Sequence, residues 1–214
     1  MAFLGGGLAL RRRDAVSAER RFVKSRWRCS LGPGTVLTSS RDSFCGADGS
    51  GDDELFHLRN AVLLVFEHTE KHGTGALVTN RPTPVAVGDL RISHFSAFRD
   101  NLMFQGGPLA SSSDFVLGDQ APWYWIHDEK TVTGTTHLGG DIYMGGKVHQ
   151  SEPLLANPER VKFFWRHVYF LPGILQDKVA SQQMIELPCT SNVILQDEVE
   201  GKRLPRMARA VLGE

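Results

Sequence analysis

Chemically capable residues stand in two short clusters of this 214-residue chain. The first runs from Glu67-His68 to Asn80-Arg81-Pro82, and the second is Gly106-Gly107-Pro108. Arg81 offers a planar fork of five N–H donors suited to a carboxylate or phosphate. The paired glycines offer exposed backbone N–H groups, which also favour anions. Together Glu67, His68, Asn80, Arg81, Gly106, Gly107 and Pro108 make a candidate surface for a partner or ligand. A plainer reading of the same residues is structural. In it Asn80 caps a turn, Arg81 bonds internally, and the glycines permit positive φ or a close approach at a corner.

Evidence for catalysis is thinner. Glu67, His68 and the run Ser111, Ser112 and Ser113 are the nearest Glu/His/Ser cluster to these motifs, but no G-x-S-x-G elbow or paired Cys/His signature accompanies them. No catalytic residue, cofactor or metal is therefore assigned. His68 and His72 stand four apart, yet Thr69 follows the first histidine where a zinc protease needs glutamate. Gly73 and Gly75 also argue against the helix that would align both rings. Asp48, Ser50 and Asp52 imitate a calcium loop, but Asp53 occupies its glycine position and Arg59 its closing glutamate. The run Gly139 to Lys147 fails as a phosphate loop, because Asp141 and Val148 fill required positions.

The elements around these clusters read mainly as strands. Thr35 to Thr38 has β-branched strand composition, and Asn60 to Phe66 is a continuous apolar run that suits a strand covered on both faces. Glu67-His68 ends that strand, Thr69 to Gly75 is loop, and Ala76 to Thr79 returns as a hairpin partner. Pro82 cannot donate to a ladder, so pairing is expected to stop there. Further strands are expected at Asn101–Gln105, Asp114–Leu117, Trp123–His127, Ile142–Met144, Val161–Phe170 and Met184–Leu187. The aromatic rings of Trp123–His127 read as core or interface. Helical spacing points to weak helix over Val85–Asp100, a short element at Asn157–Glu159, and helices over Pro172–Gln183 and Arg203–Leu212. Strands in pairs with helices at intervals give an α+β class with a largely antiparallel sheet.

Composition narrows the partners. Residues 1–30 carry eight arginines and lysines against Asp14 and Glu19, so an Arg-rich leader precedes a mildly acidic body in a chain of zero net charge. Apolar Met1–Leu10 precedes the arginines, the reverse of a secretory signal and closer to an organelle transit peptide. That places the chain in a plastid or other organelle, or in the cytoplasm if residues 1–30 are only a basic terminus. The acidic body, residues 31–214, argues against nucleic-acid binding. No apolar run reaches the roughly 18 residues of a membrane span. Cys29, Cys45 and Cys189 are too few and too scattered for a disulfide framework. A body of about 180 residues buries roughly 70% of its unfolded surface and needs no such staple.

From about Leu31 onward the chain resembles the YqgE/AlgH family of bacterial and plastid-bearing eukaryotic proteins. The residues that carry the resemblance are Pro33-Gly34, Glu67-His68, Asn80-Arg81-Pro82, Gly106-Gly107-Pro108, Phe115-Val116-Leu117, and Pro172-Gly173 with Leu175, in the family's order. Tyr169-Phe170-Leu171 departs from the family's Gly-Trp-Gly, Ile174 from its glutamine, Lys178 from a glutamate, and Ala76 from a glycine. The resemblance implies a single α+β domain built on a bulged, barrel-like antiparallel sheet with flanking helices. It implies no enzymatic activity. The reading is a non-catalytic binding or regulatory protein whose partner is a protein or a small anionic ligand. The alternatives are a hydrolase or transferase, and a nucleic-acid-associated transcriptional regulator, a label some family members carry.

Overall fold

A computed structural model describes residues 31–39, 58–108, 123–187 and 194–195. The leader, the three cysteines, the Ser111–Ser113 run, the expected strand at Asp114–Leu117 and the expected helix at Arg203–Leu212 lie outside the described residues. Eleven strands occur within them: β1 (Val36–Ser39), β2 (Val62–Thr69), β3 (Gly73–Val78), β4 (Pro82–Ala86), β5 (Leu102–Gln105), β6 (Trp123–His127), β7 (Thr135–Gly139), β8 (Ile142–Gly145), β9 (Val161–Trp165), β10 (Val168–Phe170) and β11 (Met184–Glu186). Two short helices, α1 (Glu152–Ala156) and α2 (Ile174–Ala180), join them. The class is α+β. No helix among the described residues is long and apolar enough to cross a membrane.

The strands form two open sheets rather than one closed barrel. One has the order β10-β3-β2-β1-β11, and the other β4-β5-β9-β6-β8-β7. Every pairing is antiparallel except β5 with β9. Between the sheets, Val62, Leu64 and Leu77 pack against Phe104, Ile126 and Phe164. On the outer face of the second sheet, Met103, Val161 and Phe163 pack under Phe95, Phe98 and Leu154 from the connecting turns and α1. Alternation along β9 explains both layers, because successive side chains point to opposite faces. The same alternation sends Lys162 inward, where it is fully buried. Its Nζ donates to the Ile194 carbonyl at 2.9 Å and lies 4.0 Å from the Phe104 ring centre.

Several boundaries differ from the sequence reading. β2 does not end at Glu67-His68 but runs to Thr69, and only Glu70–His72 separates it from β3. A bulge supplies the reason. Val65 pairs with Ala76 and Glu67 with Gly75, leaving Phe66 as the extra residue. Pairing also does not stop at Pro82. It stops with β3's sheet and resumes in the other as β4, an edge strand, where proline's missing donor is tolerated. Val85–Asp100 is not one helix: after β4 it makes two short 3-10 helices, Val87–Leu90 and Ser93–Phe98. Val161–Phe170 is not one strand but two, β9 and β10, in different sheets. Left-handed Arg166 (φ 65°) makes the break between them. Strand β7 and helix α1 carried no clear periodic signal, being too short and too rich in glycine or proline.

His127 on β6 is fully buried and makes two bonds of opposite sense. Its Nδ1 accepts the Glu129 N–H at 3.2 Å, so the neutral ring carries its proton on Nε2, 3.1 Å from the Gly145 carbonyl. Burial lowers its pKa below the ordinary 6.5, against the smaller raising effects of the Gly145 bond and of Asp128 and Glu129. The unfolded chain therefore takes up this proton at a higher pH than the folded one. Stability contributed by neutral His127 is complete above pH 6.5 and falls as the pH drops through the lowered value. Urea unfolding at pH 7.5 and 5.5 should show wild type losing stability on acidification. His127→Gln, which keeps a donor toward Gly145 but does not titrate, should lose measurably less.

Candidate functional site

The chain crosses from one sheet to the other at Arg166-His167, between β9 and β10, and Gly106-Gly107, just after β5, lies against that crossing. Gly106 N–H donates to the Trp165 carbonyl at 2.9 Å, and Val78 N–H donates to the Gly106 carbonyl at 2.8 Å. A Cβ on Gly106 would stand 2.3 Å from the Arg166 carbonyl oxygen, and one on Gly107 only 2.0 Å from that of His167. Neither glycine has positive φ. Of the two roles the sequence allowed, close approach is the one they fill. Asn101 fixes the parallel pair next door, its amide donating to the carbonyls of Pro158 and Val161 at 2.8 and 2.7 Å.

Three side chains gather at this crossing from three separate strands or junctions. Tyr124 of β6 and His167 share a hydrogen bond, Oη to Nδ1, of 2.9 Å. Phe66, at the bulge, completes a triangle of rings with centre separations of 5.4 Å to Tyr124 and 5.5 Å to His167. The bulge exists because β3 offers glycine opposite it. A Cβ on Gly75 would come within 2.6 Å of the Phe66 ring and 2.9 Å of the Glu67 side chain. The extra residue also brings Glu67 within electrostatic reach of Tyr124. Burial first, and the Glu67 charge second, raise the Tyr124 pKa above its usual 10.0. The phenol is held protonated, as a hydrogen-bonding group rather than a nucleophile.

The other sequence candidates have more internal duties. His68 Nδ1 is 2.7 Å from the Thr74 hydroxyl across the hairpin. Asn80 sits at the far end of β2, about 16 Å of strand away from Glu67. Its side chain accepts the Val62 N–H at 3.0 Å and donates to the Asn60 carbonyl at 2.8 Å. Arg81 Nη2 donates to the Arg59 carbonyl at 3.2 Å, and burial lowers the guanidinium's pKa. The two tripeptide loops do meet, since Gln105 N–H donates to the Arg81 carbonyl at 2.9 Å. The Arg81 side chain, however, turns toward Arg59. Pro108, half-buried, closes the described part of the second loop.

This two-sheet arrangement matches known proteins. The model of the AlgH-like family, DUF179, matches residues 50–211. The chain belongs to the AlgH-like family. A UPF0301 protein of Streptomyces coelicolor is 30% identical over 124 residues, covering 58% of this chain and 63% of its own length. Another, from Delftia acidovorans, is 26% identical over 164 residues, 71% of this chain and 78% of that protein. The solution structure of the AlgH protein from Pseudomonas aeruginosa superposes with a TM-score of 0.57 at 17% identity, covering 88% of this chain and 93% of that one. A crystal structure of a Corynebacterium diphtheriae protein gives 0.56 at 18% identity, over 88% and 97% of the respective chains. The sheets of this chain are thus the AlgH-like fold.

Tyr124, His167 and Arg166 escaped the sequence reading. Tyr124 lay within an aromatic strand that reads as packing. Arg166-His167 interrupted an apolar run, FFW-RH-VYF, and that polar interruption was the usable signal. The geometry of Asn80 and Arg81 ranks two substitutions. Asn80→Ala strands a backbone donor and a backbone acceptor and should cost about 1–3 kcal/mol. Arg81→Ala removes one bond and should cost about 1 kcal/mol with the fold kept. Chemical unfolding midpoints of the two variants check the order.

Proposed function

We propose that this AlgH-like chain is a non-catalytic binding protein, with residues 31–214 as the binding domain. The ligand surface is the sheet crossing: Glu67, Tyr124 and His167, with His68 and Pro108 on its flank. Gly106 and Gly107 do not offer exposed N–H groups: they are buried, with the Gly106 N–H and carbonyl bonded internally, and they shape the surface from beneath. Asn80 and Arg81 shape the adjoining corner. The observation that carries this reading is the Tyr124–His167 hydrogen bond, held beside Glu67 where two sheets meet. Such a cluster presents donors and acceptors in fixed geometry, because each member is anchored on a different element. A phenol kept protonated and bonded to a histidine suits recognition better than nucleophilic chemistry. The partner is a protein or a small anionic ligand, and any regulatory effect follows from what is bound.

The test compares full-length wild type with Tyr124→Phe, Glu67→Gln and Arg81→Ala, each first shown to be folded. The proteins are recovered from cells, and co-purifying proteins and small molecules are quantified by mass spectrometry. A species enriched on wild type should fall at least about tenfold on Tyr124→Phe or Glu67→Gln, the loss of one strong contact. It should fall less on Arg81→Ala. Equal recovery on all four proteins, or loss on Arg81→Ala alone, contradicts the assignment of the surface.

A further inference from the structure

Between β9 and β10 the backbone passes through Arg166 in the left-handed region, φ 65°. Glycine adopts that conformation freely, whereas a side chain makes it costly. The two contacts that pin this backbone are the Gly106 bond to Trp165 and the close approach of Gly106 to the Arg166 carbonyl. The side chain is equally constrained. Its guanidinium carbon lies over the Trp165 ring, 5.4 Å from its centre, within reach of a cation–π interaction. Its Nε and Nη1 are buried and have no hydrogen-bond partner.

Buried polar atoms almost always find partners, and guanidinium nitrogens are donors only. The group that would satisfy them is therefore an acceptor, and a charged acceptor makes the strongest bond to a fork of this kind. Backbone strain at the same residue is a second and independent sign of a functional constraint. We infer that Arg166 is an oxyanion-binding residue at the sheet crossing, taking the phosphate or carboxylate group of a small ligand. This rests on the crossing being the binding surface. Each two-donor edge of a guanidinium includes Nε or Nη1, so an oxyanion arriving at either edge meets a donor already stripped of water. Trp165 lies beneath the guanidinium, and Tyr124 and His167 lie on the next strand and the next residue. Glu67 at the same crossing opposes an anion. It is solvent-exposed, so its charge is screened more strongly than that of the buried donors.

The experiment titrates the full chain with orthophosphate and, separately, with acetate at constant ionic strength. The indole N–H resonance of the neighbouring Trp165, present in every variant, reports binding, and in wild type the Arg166 Nε–H resonance, assigned by its loss in Arg166→Gly, should shift with it. Glycine suits φ 65°, so that variant should fold with an unchanged or higher unfolding midpoint. Arg166→Gln, which keeps bulk without charge, is the second variant. The expected result is a saturable shift in wild type, with affinity at least about tenfold weaker in both variants and stronger in Glu67→Gln. A response to phosphate alone assigns a phosphoryl ligand, and one to acetate alone a carboxylate. No saturable shift with either anion, or equal affinity in folded Arg166→Gly or Arg166→Gln, overturns the inference. If that happens while Tyr124→Phe still loses its co-purifying species, the binding surface stands and only the oxyanion assignment fails.

Discussion

The fold depends on a backbone contact made without side chains. Gly106 and Gly107 lie against the carbonyls of Arg166 and His167, closer than any Cβ would permit. Arg166-His167 carries the chain from one sheet to the other, and Gly106, leaving β5, also accepts the Val78 N–H from the opposite sheet, so this contact fixes how the two layers meet. Its hydrogen bonds contribute only about 1 kcal/mol each. Burial of Leu64, Leu77, Phe104 and Phe164 contributes more, at roughly 1.5–3 kcal/mol for each large side chain. Apolar burial therefore supplies the stability, while the glycine contact sets the register that the burial rewards.

The polar cluster follows from that register. The bulge at Phe66 sends its ring into the intersheet core and brings Glu67 near Tyr124. The break at Arg166 swings His167 onto the Tyr124 hydroxyl. Two departures from regular strand geometry thus deliver side chains to one place, which is a recurrent use of bulges and strained residues. Nearby, Tyr169, Leu171 and Ile174 expose apolar surface, with Leu171 66% accessible.

Much of the fold was legible because it is written locally. β2 was readable from its unbroken apolar run, β6 from its aromatics, and β5 from its position before two glycines. The class followed from strands arriving in pairs. The division into two sheets was not legible, because it is decided by long-range pairing. Pro82 reads as a terminator, yet it opens an edge strand in another layer. The Val161–Phe170 run reads as one strand, since nothing in the composition of Arg166 announces a left-handed residue. For the proposed site, the motifs had singled out Glu67, Gly106 and Gly107. Tyr124 and His167 were missed, since a tyrosine among tryptophans and a histidine between strands acquire meaning only from each other.

The central claim is that the Gly107–His167 contact sets the meeting of the sheets, and one substitution addresses it directly. In Gly107→Ala the new methyl would fall 2.0 Å from the His167 carbonyl oxygen, so backbone must move. Thermal unfolding of this variant, followed by both far-ultraviolet and near-ultraviolet circular dichroism, is the measurement. The account predicts a loss toward the upper end of the 1–3 kcal/mol typical of overpacking, with the near-ultraviolet aromatic signal altered even below the transition. An unchanged midpoint with an unchanged aromatic spectrum would contradict it.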